Sequence, residues 1–280
     1  MSWRLRIRHT TGYRYDTEVS RSYNEARLIP LTGLDQTTLD ARIVTVPDSR
    51  QQRYWDYWGT QVTAFDLHVP HSSLEVTATS VVDTAGPQEP GEVPTWALLG
   101  TEAVRDRFVE LLAPTPRTTS DEAMRELARE TSDGMTPYAA ARAIGDLVRD
   151  QVAYRRGTTG VATSATEAWG LREGVCQDIA HVTLAMLRGL GLPARYVSGY
   201  LHPDPGAGIG QTVTGESHAW VEVWLGAWFG FDPTNGVPSG DSHVLVARGR
   251  DYADVTPLKG VYSGGGSQSL GVVVEVTRVQ

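Results

Sequence analysis

One thiol stands in 280 residues, Cys176. It lies in Gly174-Val-Cys-Gln-Asp-Ile-Ala-His181, where Ile179, Val182, Thr183, Met186, Leu187 and Leu190 recur at three- and four-residue steps until Gly189, Gly191 and Pro193. That period predicts a helix with Cys176 at its N-terminus. Unpaired N–H groups and the positive end of the helix dipole there favour thiolate over thiol, and the same donors can hold a tetrahedral oxyanion. A buried cysteine acting as a small hydrophobe is the plainer alternative. Two further residues shift the balance. Ser217-His218-Ala-Trp-Val-Glu-Val-Trp224 alternates as a strand that starts at His218, Gly226-Ala227 turns the chain, and Trp228–Phe231 returns it to Asp232. A base at one strand's end with a carboxylate near the end of its hairpin partner is the arrangement in which Asp fixes the tautomer and orientation of His. His218 and Asp232 are 14 positions apart, so facing one side demands an odd-length turn or a bulge. A plain two-residue turn at Gly226-Ala227 would put them on opposite faces.

The remaining candidates are weaker. His181 falls about 140° round the helix from Cys176 and is expected to be structural. Asp178 is expected to satisfy helix-start N–H groups or hold a neighbouring loop. Trp220, beside His218, is a candidate wall of a substrate groove, although cross-strand packing with Trp224 and Trp228 is its ordinary explanation. Gln177, next to the thiol, is the other substrate-binding candidate. His202 reads as a solvated loop histidine, His243 as the start of a strand, and His9, His68 and His71 as residues of a β region away from the motifs. A single cysteine cannot make a zinc ribbon or finger, and only Cys176, His218 and Asp232 converge, so no metal or cofactor is expected.

Those side chains need a scaffold. Trp3, Leu5, Ile7 and His9 alternate with Arg4, Arg6 and Arg8, the period of a half-buried strand, and further strands are expected at 39–46, 52–58, 61–69 and 73–82. The Gly/Pro-rich stretch Ala85–Pro94 is the expected linker between a β-sandwich-like domain, 1–85, and a second domain, 86–280, mainly helical over 95–190 and mainly strands over 194–280. Net charge follows the same division, −1 in the first part and −7 in the second. Thr101, Ser120 and Thr136 are placed to cap helices, Pro137 suits a first helical position, and Ser164-Ala-Thr-Glu167 fits a capping box.

Composition narrows the partners. The net charge is −8, 24 of the 25 basic residues are arginine, and no dense basic tract is present to neutralise phosphates, so nucleic acid is not expected. No apolar run approaches the ~18 residues of a membrane span. The Arg-studded start without an apolar core, together with the lone thiol, predicts a cytoplasmic protein.

The motifs GVCQDIAHVTLAMLRGLGLPARYVSGYL, ESHAWVEVW, FDPTNG and GRDYADVTPLKGVYSG resemble the transglutaminase-like superfamily. HTTGYRYD, SYNEARLIP, Gln36 and HVPHSSLEV resemble the N-terminal β domain of its bacterial branch, so the likeness covers nearly the whole chain. The resemblance implies an α+β fold with a papain-like core, a helix presenting the thiol against an antiparallel sheet. By motif it makes Cys176 the nucleophile, His218 the base and Asp232 the orienting acid. The implied chemistry is acyl transfer on a peptide or protein amide through a thioester, with hydrolysis preferred over amine transfer. A non-catalytic peptide- or protein-binding module that keeps the fold is the rival. The tryptophan that assists the oxyanion in animal transglutaminases has no counterpart near Thr158-Thr159-Gly160, and Trp58-Gly59-Thr60 departs from relatives that have Asn after this Gly.

Overall fold

The computed structural model describes residues 2–88, 91, 93–204, 206–215 and 217–280. The expected linker Ala85–Pro94 falls in part on residues 89, 90 and 92, which lie outside them. Six strands come first: β1 (Trp3–Val19), β2 (Arg21–Ala26), β3 (Gln36–Val46), β4 (Gln51–Trp55), β5 (Gln61–Leu67) and β6 (His71–Thr84). The helical stretch follows as α1 (Trp96–Leu99), α2 (Glu102–Arg107), α3 (Val109–Leu112), α4 (Glu122–Ser132) and α5 (Pro137–Gln151). Then come β7 (Ala153–Tyr154), α6 (Ala165–Leu171), β8 (Glu173–Gly174) and α7 (Cys176–Gly189). The chain finishes through β9 (Ala194–Leu201), β10 (Thr212–Gly215), β11 (His218–Trp224), β12 (Trp228–Asp232), β13 (Val237–Pro238), β14 (His243–Gly249), α8 (Tyr252–Val255), β15 (Leu258–Ser263) and β16 (Ser267–Arg278).

Two sheets make the β half. One runs β10-β16-β1-β6-β3 and the other β15-β2-β5-β4. Leu74, Val76 and Ile43 of the first face Phe65, Leu67 and Ala26 of the second across a shared apolar core, which is a sandwich. The sheets do not respect a division at residue 85: β10, β15 and β16 all come from beyond it, and β16 pairs along β1 from Leu5 opposite Arg278 to Tyr15 opposite Ser267.

The papain-like half is a third sheet, β13-β12-β11-β9-β14, with α7 laid against β11 and β9. Every residue from Gln177 to Arg188 is buried, so α7 is a helix enclosed on all sides by α4, α5, α6 and the sheet. Ile179, Leu184 and Met186 are fully buried, each contributing roughly 1.5–3 kcal/mol. Such burial fixes where the helix begins, and with it where Cys176 sits. Its end is equally defined: Gly191 turns at φ +82° and the Leu192 N–H donates to the Leu187 carbonyl at 3.0 Å.

The two halves share a core, in which Trp3, Leu5 and Ile7 of β1 and Val274 and Val276 of β16 pack into the cluster that holds α7 and the third sheet. Gln36 clamps them together, its amide donating to the carbonyls of Leu31 (2.6 Å) and Leu245 (2.7 Å) and accepting the Leu245 N–H (2.8 Å). No helix among the described residues is long and apolar enough to cross a membrane.

Candidate active site

The helix start that carries the thiol is built by Asp178. Its Oδ2 accepts the Val175 backbone N–H (2.8 Å) and the Thr159 hydroxyl (2.6 Å), so one carboxylate closes the N-terminus of α7 and ties down the loop before α6. Burial pushes the Asp178 carboxyl up, against the hydrogen bonds from Thr159 and Val175. Cys176 is the first helical residue and half-buried. The N–H group of Cys176 belongs to the first turn and has no acceptor four residues back within the helix, which makes it a donor available to an oxyanion.

The hairpin meets the parity condition by an odd turn. Trp224 pairs with Trp228, leaving Leu225, Gly226 and Ala227 as a three-residue loop in which Gly226 takes φ +87° and the Leu225 N–H donates to the Ala227 carbonyl at 2.8 Å. A glycine in the left-handed region is what such a loop requires. The register then sets Asp232 opposite Trp220, on the same face as His218 two residues earlier. His218 Nε2 lies 2.7 Å from Asp232 Oδ2. Cys176 lines the same cleft as His218 and is near enough to help raise the pKa of the imidazole. Burial alone would push the His218 pKa down, but the hydrogen bond the ring donates to Asp232 and the nearby charge of Asp232 and Cys176 outweigh it and raise it to about 10.

Asp232 is buried and held well below the usual carboxylate range. Burial opposes this, and the hydrogen bonds and charge of His218 and a second histidine, His243, override it. His243 Nε2 lies 3.2 Å from the same Oδ2, and the Asn235 amide donates to it at 2.7 Å. The backbone N–H groups of Thr234 (3.0 Å) and Asn235 (3.2 Å) occupy Oδ1. Gly240 donates its N–H to His243 Nδ1 at 3.3 Å, so Nδ1 accepts and Nε2 is the ring nitrogen that donates to Asp232. His218, Asp232 and His243 are also close enough to share a cation, their ligand atoms lying within 4.8 Å of one another. The 2.7 and 3.2 Å contacts on one oxygen are instead those of ring N–H groups on a carboxylate, and both carboxylate oxygens are already occupied.

The thiol and imidazole open into a cleft of about 210 Å3, lined also by Tyr154, Arg156, Val213, Thr214 and Val274. Trp220 is no part of its wall, contrary to the sequence expectation: it is 2% exposed, and its ring stacks behind His218 with centroids 6.1 Å apart. Gln177 too is buried and does not line the cleft. His202 is buried edge-on to Trp3 instead of lying solvated in its loop, two residues of which (205 and 216) fall outside the described set. His9, expected far from the motifs, is buried with its Nδ1 3.1 Å from the Tyr200 hydroxyl of β9. His181 is structural: Nε2 accepts the Tyr252 N–H (3.2 Å), and burial pushes its pKa down to about 3.

A thiol on a buried helix facing a histidine and an aspartate on an antiparallel sheet defines a papain-like architecture. Two family models match the chain, the transglutaminase-like superfamily over residues 125–233 and the bacterial transglutaminase-like N-terminal region over residues 5–83. The chain belongs to the transglutaminase-like superfamily, in the bacterial form that carries this N-terminal region. An uncharacterized Mycobacterium leprae protein is 47% identical across 99% of both chains. An uncharacterized Mycobacterium tuberculosis protein is 35% identical, covering 98% of this chain and 92% of its own. The crystal structure of a candidate cysteine protease from Cytophaga hutchinsonii shares the fold, with a TM-score of 0.79 at 24% identity over 100% of this chain and 92% of that one.

Proposed function

We propose that the chain is a cysteine-dependent enzyme of acyl transfer on peptide or protein amides, with Cys176 as nucleophile, His218 as acid and base, and Asp232 as the residue that orients His218. The observation that carries this is one open cleft lined by both Cys176 and His218, with the imidazole held 2.7 Å from the buried Asp232 carboxylate. Cys176 sulfur adds to the amide carbonyl, and the Cys176 backbone N–H at the helix start stabilises the oxyanion. Collapse breaks the C–N bond as His218 gives its proton to the leaving amine, which leaves a thioester. Water then adds to the thioester with His218 taking its proton, and the carboxylic acid leaves as the thiolate is restored. Water is favoured as acceptor because the cleft is open to solvent. Lys259, the chain's one lysine, is paired with Glu25 at 3.2 Å on the β sandwich. A reducing cytoplasm, which keeps a lone thiol free, is the compartment that suits this chemistry.

The test uses the single thiol: the rate of iodoacetamide alkylation against pH, by intact mass, in wild type and His218→Ala. Labelling that persists well below pH ~8.5, the range of an unperturbed cysteine, and slows in the variant is the expected result. One common, unperturbed curve for both proteins, each folded, sinks the nucleophile and leaves the binding module in its place.

A further inference from the structure

One wall of the cleft is a strand with a free edge. β10 is the last strand of its sheet and pairs only with β16 among the described residues, from Thr212 opposite Thr277 to Gly215 opposite Val274. Just ahead of it, the Arg278 N–H donates to the Gln211 carbonyl at 3.2 Å. In an antiparallel ladder successive residues turn their backbone groups alternately toward the partner and away. Gln211, Val213 and Gly215 therefore face β16, and the N–H and C=O of Thr212 and Thr214 face out. Thr214 stands four positions before His218, and it lines the same cleft as Cys176 and His218. Val213, Val274 and Val276 give that wall small apolar side chains. Edges of this kind are templates for another strand and are normally covered or blunted. This one stands beside the Cys176 thiol.

We infer that the free edge of β10 is the docking strand for the acyl donor: an extended peptide pairs its backbone with Thr214 and so lays an amide carbonyl at the Cys176 sulfur. The inference rests on the acyl-transfer reading above and names the substrate class within it. Strand addition draws affinity from main-chain hydrogen bonds and leaves selection to side-chain pockets. The occupant is accordingly a peptide in extended conformation, with small apolar side chains toward the valine wall. A lone small-molecule amide has no such backbone to offer, and a folded protein would present a strand or loose segment.

The experiment compares two thiol-alkylating reagents on the whole protein: acetyl-Val-Ala-Ala-Ala chloromethyl ketone and its counterpart methylated on every amide nitrogen. Second-order labelling of Cys176 is followed by intact mass. In wild type the parent reagent reacts roughly tenfold faster than the methylated one, the effect of one or two lost hydrogen bonds. Thr214→Pro removes the outward N–H and most of that ratio, and Thr214→Ala keeps it; the ratio, taken between two reagents on one protein, cancels any change in the reactivity of the thiol itself. Equal rates for the two peptide reagents on wild type, whether fast or absent, overturn the inference without recourse to any variant. A ratio that survives Thr214→Pro does the same. Failure of the acyl-transfer reading shows separately, as iodoacetamide labelling indifferent to His218→Ala.

Discussion

Asp232 accepts hydrogen bonds from two histidines, a side-chain amide and two backbone N–H groups, and only part of that was legible in the sequence. Cys176, His218 and Asp232 could be picked out because each has a local signature: a helix start, a strand start and a turn. His243 has none, since a histidine opening HVLVA looks like any strand residue; its role depends on β14 crossing beside β9, which sequence spacing does not show. Trp220 shares a face of β11 with His218, yet it is covered there by His218 and His243, and spacing along a strand does not show how deeply a side chain on that face is buried. The network gives stability a pH dependence of definite sign. His218 in the folded protein titrates at about 10, above the ~6.5 of an unfolded histidine. A raised pKa means that the folded state holds the proton more tightly, so this contribution is fully present below pH ~6.5 and fades as pH rises toward 10. Urea unfolding of wild type and His218→Gln should therefore differ most near pH 6 and converge by pH 10. A difference that stays constant across that range would mean that the imidazole is not held protonated by Asp232.

Local sequence signals placed most elements, because caps, turns and apolar periods act over a few residues. Thr136 accepts the Ala139 N–H with Pro137 in the first turn, and Ser164 and Glu167 form the reciprocal capping box, both as their residue types predict. The cap of α4 lies one residue beyond Ser120, at Asp121, whose Oδ1 accepts the Met124 N–H at 2.8 Å and whose carboxylate also suits the positive helix end. The turn at Gly226 was legible as a condition, an odd count, but its length emerged only from the register of β11 on β12. A glycine that sequence alone would call a helix defect has a different meaning in the fold. Gly145 lies midway in α5, where Gly costs about 1 kcal/mol against Ala. A Cβ there would run into the ring of Phe231, the residue before Asp232, whose ring also lies 4.7 Å from the Arg142 guanidinium. Overpacking costs about 1–3 kcal/mol, which exceeds the propensity gain. Gly145→Ala is thus expected to lower the melting temperature by a few degrees, at roughly 2–4 °C per kcal/mol, and to weaken the His218 dependence of Cys176 alkylation as β12 is pushed. A rise in melting temperature would show that helix propensity wins and that Phe231 has room to move.

At the scale of the molecule, the chain's order and its architecture part company. The composition and charge shift near residue 85 is real, yet the sheet that begins with β1 is completed by β16, whose Val276 pairs with Ile7 and Val274 with His9. Pairings between the two ends of a chain leave no local trace, because each strand shows only its own alternation and not its partner. The consequence for the site is direct. β16 supplies Val274 and Val276 to the cleft and holds β10, the strand that leads into His218, so the β half is a wall of the candidate active site and not an appendage. It is also continuous with the core around α7, through Trp3, Leu5 and Ile7, and is locked to β14 by the two hydrogen bonds between Gln36 and Leu245. Two bodies joined by a linker would unfold in two steps, whereas bodies that share a core and a sheet lose both together. The whole chain should melt in one calorimetric transition with matching calorimetric and van't Hoff enthalpies, and the fragment 86–280 should not fold, because its strands 258–278 would have lost β1 and β2. A folded fragment, or two resolved transitions with Cys176 reactivity surviving the first, would return the β half to the status of a separable domain and remove it from the cleft.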